Sequence, residues 1–458
     1  MPNAFASLVF YSWPIVVFWL LVRYPTKYAI FIAIATATLL LPTGFEVDLP
    51  LIPPLNKETI TSLSLVVFLF LLGKKFRFFQ PGFIVKIIIG YLIVIIISSE
   101  LNVSTEIIGS KFLPGLTHYD ALSNVIRTLL WLVPFFLGRY FFTDIKDNEA
   151  ILKMLVIMAL IYSIPMLYEV RMSPQLHNMV YGYQASEFIQ NMREGGFRPT
   201  VFTVGGLPLA FWLSTCIIAV MALHKNKIRI GKRSPFMILC FLLIVLVLCK
   251  TWSAFIYVIM GILFIYMLSP SKQIKWAFLL SALVMLYPVS KMMGIFPDKA
   301  IISTIAEYNT ERAQSMETRY VNEEVLLTRA LKKPFFGWGG WGRNRLFDYS
   351  GKDIVITDGK WIIEFGIYGA FGFIFYYLIL LVPLYYAVKN VKHIDAPKDQ
   401  IYFALLALIL AVCIIDSVPN NNMSPMHLLL AGALMGQAEF LKKQRGLMLN
   451  ERLYPDHG

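Results

Sequence analysis

The chain has 458 residues, of which 57% are hydrophobic and 15% are charged, and its formal net charge is +13. A mean hydropathy of +0.65 excludes a water-soluble globular protein, because a soluble domain of this length cannot bury so much apolar surface. Apolar segments long enough to cross a bilayer recur without strand-like alternation, and lipid requires every backbone polar group to be paired internally. The sequence therefore predicts an all-α polytopic transmembrane helix bundle, with residues 1–458 forming one integral membrane domain.

In chain order, the apolar segments predict about 12–13 spanning helices. Residues 5–22 lack the basic start and the small-residue cleavage signal of a removed signal peptide, so they are predicted to form the first helix. The predicted spans are residues 5–22, 28–42, 58–73, 83–99, 122–142, 150–169, 203–223, 235–250, 252–268, 274–290, 361–388, 400–418 and 424–441.

Lysines and arginines cluster in every second short connection, which places the clusters on one side of the predicted bundle. By the positive-inside rule that side is cytoplasmic. Much of the net positive charge then reflects topology, so nucleic acid is not an expected partner. The clusters are residues 74–77, 225–233, Lys272 with Lys275, Lys389 with Lys392, and residues 442–445.

The cysteines and histidines show no spacing typical of a metal site. The four cysteines lie in apolar segments without a C-x-x-C pattern, and the six histidines form no H-x-x-x-H pair. We therefore expect no metal ion and no cofactor.

The side opposite the basic clusters carries the longer segments, at about residues 98–121, 170–202 and 291–360. Residues 291–360 contain eleven lysines or arginines and nine acidic residues. An anionic ligand explains the basic residues, although long loops also cross the membrane regardless of their charge. This segment is the predicted main functional loop, and its individual arginines have to be judged by position.

Within the loop, residues 315–333 have helical spacing, with Met316, Tyr320, Leu327 and Leu331 on one stripe and Pro334 just beyond. This spacing predicts a helix that lies along the membrane surface.

Residues 334–345 follow this predicted helix and are rich in glycine, tryptophan and arginine. Three of their glycines formally match the G-x-G-x-x-G dinucleotide pattern, but no strand precedes them, so we reject that interpretation. Trp338 and Trp341 are candidates to stack on sugar rings, and Arg343 and Arg345 are candidates to contact phosphate. The alternative is that both tryptophans are interfacial anchors.

From Arg319 to Gly372 the chain resembles the signature region of the O-antigen ligase and polymerase family of bacterial membrane proteins. The matching elements are Arg319, a P-x-x-G-x-G turn at residues 334–339, and Asp358 before a helix that contains G-x-x-G at residues 366–369. Upstream, residues 193–199 and 205–207 are similar to the arginine-bearing outer loop of the family. Ligases usually carry a histidine at the position of Asp358, so the chain looks more like the polymerase branch.

The resemblance implies a GT-C-like membrane glycosyltransferase on the outer face of the bacterial inner membrane. Such an enzyme polymerises polyprenyl-pyrophosphate-linked repeat units into O-antigen or exopolysaccharide by inverting transfer without a metal. Arginine can stabilise a departing pyrophosphate, and Arg193, Arg198 and Arg319 are the candidates. Asp358 is the candidate base for the incoming sugar hydroxyl, the alternative being that it only caps the following helix. The expected partners are the lipid-linked glycan, membrane lipids, and the chain-length regulator and flippase of the pathway.

Three ionisable residues inside predicted spans are further candidates, because charge in a membrane is costly and usually functional. They are Arg127, Glu364 and Asp416. Arg127 is a candidate pyrophosphate contact, and Glu364 is the reserve candidate for the base. An intramembrane salt bridge between an arginine and an acid is the alternative explanation for all three.

Other classes of function remain open at this point. They are an O-antigen ligase, a transporter or flippase of lipid-linked saccharide, and a structural scaffold in the cell envelope. Transporters often consist of repeated halves with interrupted helices, and this sequence has no internal repeat, which favours the enzyme.

Overall fold

A computed structural model of the chain describes residues 2–49, 52–193 and 195–453. Helices account for nearly all of its regular structure. Their bounds are α1 Ala4–Arg23, α2 Thr26–Leu40, α3 Lys57–Leu71, α4 Phe83–Glu100, α5 His118–Phe141, α6 Asp147–Met172, α7 Leu176–Tyr181, α8 Gly206–Lys225, α9 Pro235–Leu248, α10 Trp252–Met267, α11 Pro270–Leu283, α12 Tyr287–Met292, α13 Asp298–Tyr308, α14 Thr310–Ala330, α15 Lys360–Asn390, α16 Pro397–Asp416 and α17 Pro425–Leu453.

The helices confirm an all-α, multi-pass membrane protein. In the described part of the chain, eight helices are long and apolar enough to cross a bilayer, and three shorter apolar helices accompany them. Each of the thirteen predicted spans coincides with one of these helices or with α3 or α17. Most bounds differ by a few residues, but α17 ends twelve residues beyond the predicted span 424–441. Continuous apolar segments located the helices well because in lipid the whole surface of a spanning helix can be apolar.

In the part of the chain that the structure describes, three short antiparallel hairpins lie in the connections, where the sequence pattern had indicated no strands. They pair β1 Val47–Leu49 with β2 Ile52–Leu55, β3 Glu106–Ile108 with β4 Lys111–Leu113, and β5 Met192–Arg193 with β6 Gly196–Phe197. Strands of two to four residues are too short to show an alternating pattern, which is why the sequence did not reveal them.

The two ends of the bundle differ in what they carry. Residues 98–121 and 291–360 contact each other at one end, which we call the loop end: Arg343, for example, donates to the carbonyl of Pro114 at 2.7 Å. Arg193 and Arg198 line a cavity there together with residues of the 291–360 segment. At the opposite end, ion pairs join neighbouring helices, including Arg139 with Glu439 at 2.7 Å. This separation agrees with the predicted alternation of short basic connections and long loops.

The surface helix predicted at residues 315–333 is α14, which begins five residues earlier and ends three residues earlier. The Asn309 side chain caps it by accepting from the Arg312 N–H at 3.0 Å. Leu327 is buried as predicted, but Leu331 lies beyond the helix and is 45% exposed. The buried stripe of α14 is therefore shifted from the predicted one.

The glycine-rich turn after α14 pairs with a break inside α15. At Gly369 the helix adopts φ 68° and ψ −167°, a conformation that favours glycine. Backbone bonds then run from Gly339 to Ile367 at 2.8 Å and from Ala370 to Pro334 at 2.8 Å. A Cβ on Gly369 would lie 2.3 Å from the carbonyl of Phe335. The two glycine motifs noted in the sequence therefore fix the start of α15, with Asp358 just before it.

Candidate functional site

Four arginines from two distant segments line one cavity at the loop end. Arg193 and Arg198 come from the β5–β6 hairpin and its exit, and Arg312 and Arg319 come from α14. Arg312 and Arg319 are seven residues apart, so they occupy the same face of the helix. The cavity has a volume of about 450 Å³, and we call it the arginine cavity.

Arg198 is held in place by packing against the start of α8. A Cβ on Gly206 would lie 2.1 Å from the Cγ and Cδ atoms of Arg198, so only glycine leaves room for this side chain. Arg198 donates to the carbonyl of Lys250 at 3.3 Å, and Arg312 donates to the same carbonyl at 3.2 Å. One carbonyl oxygen thus brings the two arginine-bearing segments together.

The arginine side chains of this cavity repel one another electrostatically. Burial, reinforced by the charges of Arg193, Arg312 and Arg319, lowers the pKa of Arg198 to about 10. Among the described residues, the Nε atoms of Arg193 and Arg198 are buried without a hydrogen-bond partner. Buried donors of this kind cost stability unless a ligand pairs with them, so the cavity is suited to an anion.

The start of α8 adds to the positive potential. Gly205, the N-cap residue of α8, has no side chain to pair with the first N–H groups of the helix. Gly205, Gly206 and Leu207 line a second cavity of about 560 Å³ that also includes Arg193 and Arg198. A helix N-terminus facing such a space favours phosphate groups.

The two cavities differ in their other walls. The second one, which we call the polar cavity, is also lined by Asn191, Thr318, Asn322 and Asp358. The arginine cavity instead has apolar walls from α10 and α13, including Trp252, Ile256, Ile305 and Tyr308, and both Trp252 and Ile256 are exposed. The arginines therefore stand between an apolar space and a hydrophilic one.

Asp358 stands in the polar cavity beside Arg319. Its Oδ2 lies 3.4 Å from the Nε of Arg319, and its side chain is 41% exposed. The N-cap of α15 is Gly359, with no side-chain hydrogen bond at the cap, which contradicts the interpretation of Asp358 as the helix cap. The carboxylate is thus available for another purpose.

A chain of hydrogen bonds through Asn420 to Asp416 orients the Arg319 side chain. Its Nη1 donates to the Asn420 side chain at 3.0 Å and to the carbonyl of Pro419 at 3.3 Å. Asn420 in turn donates to Asp416 at 2.8 Å, and Tyr257 donates to the same carboxylate at 3.0 Å. Asp416, predicted as a candidate from its place in a span, is therefore linked to the site through Asn420.

Arg127 and Glu364 lie apart from the arginine cavity, in a third cavity of about 310 Å³. Glu364 pairs with Lys360 at 2.7 Å and accepts from Tyr91 at 2.6 Å, whereas Arg127 donates to Asn124 at 3.0 Å. Glu364 therefore forms a salt bridge, as the alternative explanation predicted, but its partner is Lys360 and not an arginine.

The four residues predicted from the glycine-rich turn are also separate from the arginine site, and none of them is among the described residues that line its two cavities. Trp338 is buried under the guanidinium of Arg329 at 3.3 Å. Arg343 is fully buried and donates to two loop carbonyls, and Arg345 pairs with Asp353 at 2.7 Å. Trp341 is exposed. Arg343 therefore joins the 291–360 segment to the 98–121 segment.

Sequence reasoning missed Arg312 and Glu323, although their spacing from Arg319 along α14 was a usable signal. Glu323 is buried and accepts from Tyr287 at 2.8 Å and from Trp361 at 3.0 Å, so it anchors α14 to the start of α15. Burial raises the pKa of the Glu323 carboxyl. Within the described residues, no group of three or more His, Cys, Asp or Glu side chains is placed to hold a metal ion.

Comparison with known proteins adds no identification. No model of a known protein family matches the sequence, and no curated protein shows significant similarity to it.

Proposed function

We propose that this protein is a membrane glycosyltransferase that polymerises polyprenyl-pyrophosphate-linked oligosaccharide units. The observation that carries the proposal is a cluster of four arginines in one largely apolar cavity, three of which also line the polar cavity that contains Asp358. A lipid-linked glycan has the same three parts in the same order: an isoprenoid, a pyrophosphate and a saccharide. The resemblance to the O-antigen ligase and polymerase family in the sequence supports the same proposal.

In this proposal the pyrophosphate, the isoprenoid and the glycan of the donor bind at different parts of the site. The pyrophosphate lies among Arg193, Arg198, Arg312 and Arg319, where planar guanidinium groups bind phosphate oxygens in pairs. The isoprenoid leaves along the exposed side of α10, and the glycan occupies the polar cavity.

The reaction forms one bond and breaks one bond at the anomeric carbon of the donor. A hydroxyl oxygen of the acceptor glycan attacks this carbon as the bond to the pyrophosphate oxygen breaks, with inversion of configuration. The hydroxyl proton passes to the carboxylate of Asp358. The polyprenyl pyrophosphate departs with its charge stabilised by the arginines.

In this proposal the loop end faces the extracytoplasmic side of a bacterial inner membrane, because the basic connections lie at the opposite end. A flippase would deliver the lipid-linked units to this face, and a chain-length regulator of the same pathway would be a further partner.

The proposal is tested in cells by Asp358→Asn, with Asp348→Asn as the matched control. Asp348 is a carboxylate of the same loop segment, and among the described residues it accepts hydrogen bonds from Ser350 and Lys352 of its own turn. We expect Asp358→Asn to abolish polymer and to accumulate single lipid-linked units that an impermeant enzyme or reagent can reach from outside. The control should make normal polymer. Units that accumulate only on the inner face would instead indicate a flippase, and normal polymer from Asp358→Asn would contradict the proposed role of this residue.

A further inference from the structure

A second hydrophilic space lies between the helices, on the other side of Lys360 from Asp358. The cavity that holds Arg127 and Glu364 shares four wall residues with a neighbouring cavity of about 350 Å³. The two cavities are therefore adjacent, and together we call them the inner chamber. The shared residues are Glu58, Trp131, Lys360 and Tyr376.

The walls of the inner chamber combine aromatic rings with charged groups. The rings of Trp131 and Tyr376 are stacked at 5.7 Å with an angle of 23° between their planes. Tyr91 and Tyr368 form an edge contact at 5.9 Å in the same wall. Pockets that mix apolar ring faces with a few fixed polar groups are typical of sites for small organic ligands.

The charged groups exceed what packing of the bundle requires. Lys360 and Glu364 satisfy each other at 2.7 Å. Arg127 and Glu58 are also brought into this space, and both remain exposed there. Arg127 lies nine residues, more than two turns, below the start of α5. Because a charged side chain inside a spanning helix is costly, the position of Arg127 favours a ligand that carries hydroxyl or charged groups.

The inner chamber lies next to the polar cavity of the arginine site. Its outer part shares Val204 and Pro208 with the polar cavity, which contains Asp358. Lys360, in its wall, is only two residues after Asp358. A saccharide in the chamber can therefore present a terminal hydroxyl to the carboxylate from the side opposite the arginines.

We propose that the inner chamber binds the acceptor saccharide, with Trp131 as the stacking surface and Arg127, Lys360 and Glu58 as its hydrogen-bonding groups. This assignment rests on the proposed glycosyltransferase function and separates the two substrates. The donor pyrophosphate occupies the arginine cavity, and the acceptor glycan occupies the inner chamber.

The test uses the lipid-free repeat-unit oligosaccharide, released by mild acid, as the acceptor. Lacking pyrophosphate, it can only accept, so its KM is measured separately from that of the lipid-linked donor. For Trp131→Ala and Arg127→Gln we expect the acceptor KM to rise about tenfold, while the donor KM stays within about twofold. The matched control is Trp19→Ala, which removes an exposed tryptophan of α1 that packs on Tyr24. This variant should change neither the acceptor KM nor the donor KM.

A labelling experiment keeps the proposal testable if a chamber variant folds poorly. Thr128→Cys places a thiol in the inner chamber and Thr304→Cys places one in the arginine cavity, each in a chain whose exposed Cys240 is replaced by serine. The lipid-free oligosaccharide should protect the first thiol from maleimide, and inorganic pyrophosphate should protect the second.

The outcomes distinguish the two proposals. If the wild-type protein transfers no sugar at all, the proposed function fails and the acceptor site fails with it. If the wild type is active but the chamber variants keep a normal acceptor KM and Thr128→Cys is not protected, only the assignment of the inner chamber is overturned.

Discussion

Arg198→Met is expected to inactivate the protein and at the same time to stabilise its fold. The Cγ and Cδ atoms of Arg198 pack on Gly206, and methionine keeps this packing while removing the charge. The pKa of Arg198 is about 10, against 12.5 for an ordinary arginine. This difference corresponds to about 3 kcal/mol, by which the folded state is penalised for holding the charge.

The lowered pKa of Arg198 determines that removal of its charge stabilises the folded state. At every pH below about 10 the guanidinium is protonated in both the folded and the unfolded chain, so the penalty is present in full at neutral pH. It decreases only as the pH rises above the folded-state value. Losing the hydrogen bond to the Lys250 carbonyl offsets about 1.5 kcal/mol of the gain. We expect a net stabilisation of about 1–2 kcal/mol and a loss of activity of roughly 10²–10³-fold.

Thermal unfolding in detergent measures the first effect, and glycan transfer measures the second. The matched control is Arg139→Met at the opposite end, where a buried arginine is paired with Glu439 and its removal should lower the Tm. Inorganic pyrophosphate should raise the Tm of the wild type but not that of Arg198→Met. A fall in the Tm of Arg198→Met like that of the control would refute the reasoning, because Arg198 would then be a structural residue.

Three further results are expected. Asp358→Asn should keep the wild-type Tm, since Gly359 is the N-cap of α15, and should lose turnover by roughly 10²–10⁴-fold; a large fall in Tm would reveal a structural role. Gly369→Ala should destabilise the fold by more than about 1 kcal/mol, because the φ of Gly369 is 68°. The control Gly446→Ala, which has open space around it, should not change the stability. Equal Tm values of the two variants would contradict the close packing of Gly369 on Phe335. Single cysteines at Tyr349 and Lys232 should react with an impermeant reagent from opposite sides of the membrane, and labelling from one side would overturn the predicted topology.

The sequence predicted the helices far better than it predicted the site. A long apolar segment in lipid has to be helical to pair its backbone groups, so the positions of such segments were enough to locate the spans. Arg193, Arg198 and Arg319 were also predicted together as candidates for one pyrophosphate, but the sequence did not show how they are brought together. Their convergence depends on Gly206 and on the Lys250 carbonyl, which join segments more than fifty residues apart.

The glycine-rich turn shows what local patterns leave undetermined. Its aromatic and basic residues suggested a ligand, yet Trp338 and Arg343 are buried and make their contacts within the protein. The sequence of the turn shows which residue types are present but not which carbonyls will accept from them. The same limit explains why Arg127 is found in the inner chamber rather than in the arginine cavity.

The central claim is that this protein alone lengthens a lipid-linked glycan at the arginine site. Purified protein, mixed in detergent with lipid-linked repeat units and no other protein, should convert them into a ladder of longer products. Arg198→Met and Asp358→Asn should give only the starting unit, and Asp348→Asn should give the full ladder. Absence of any longer product with the wild type would contradict the account, and so would an unchanged ladder with both site variants.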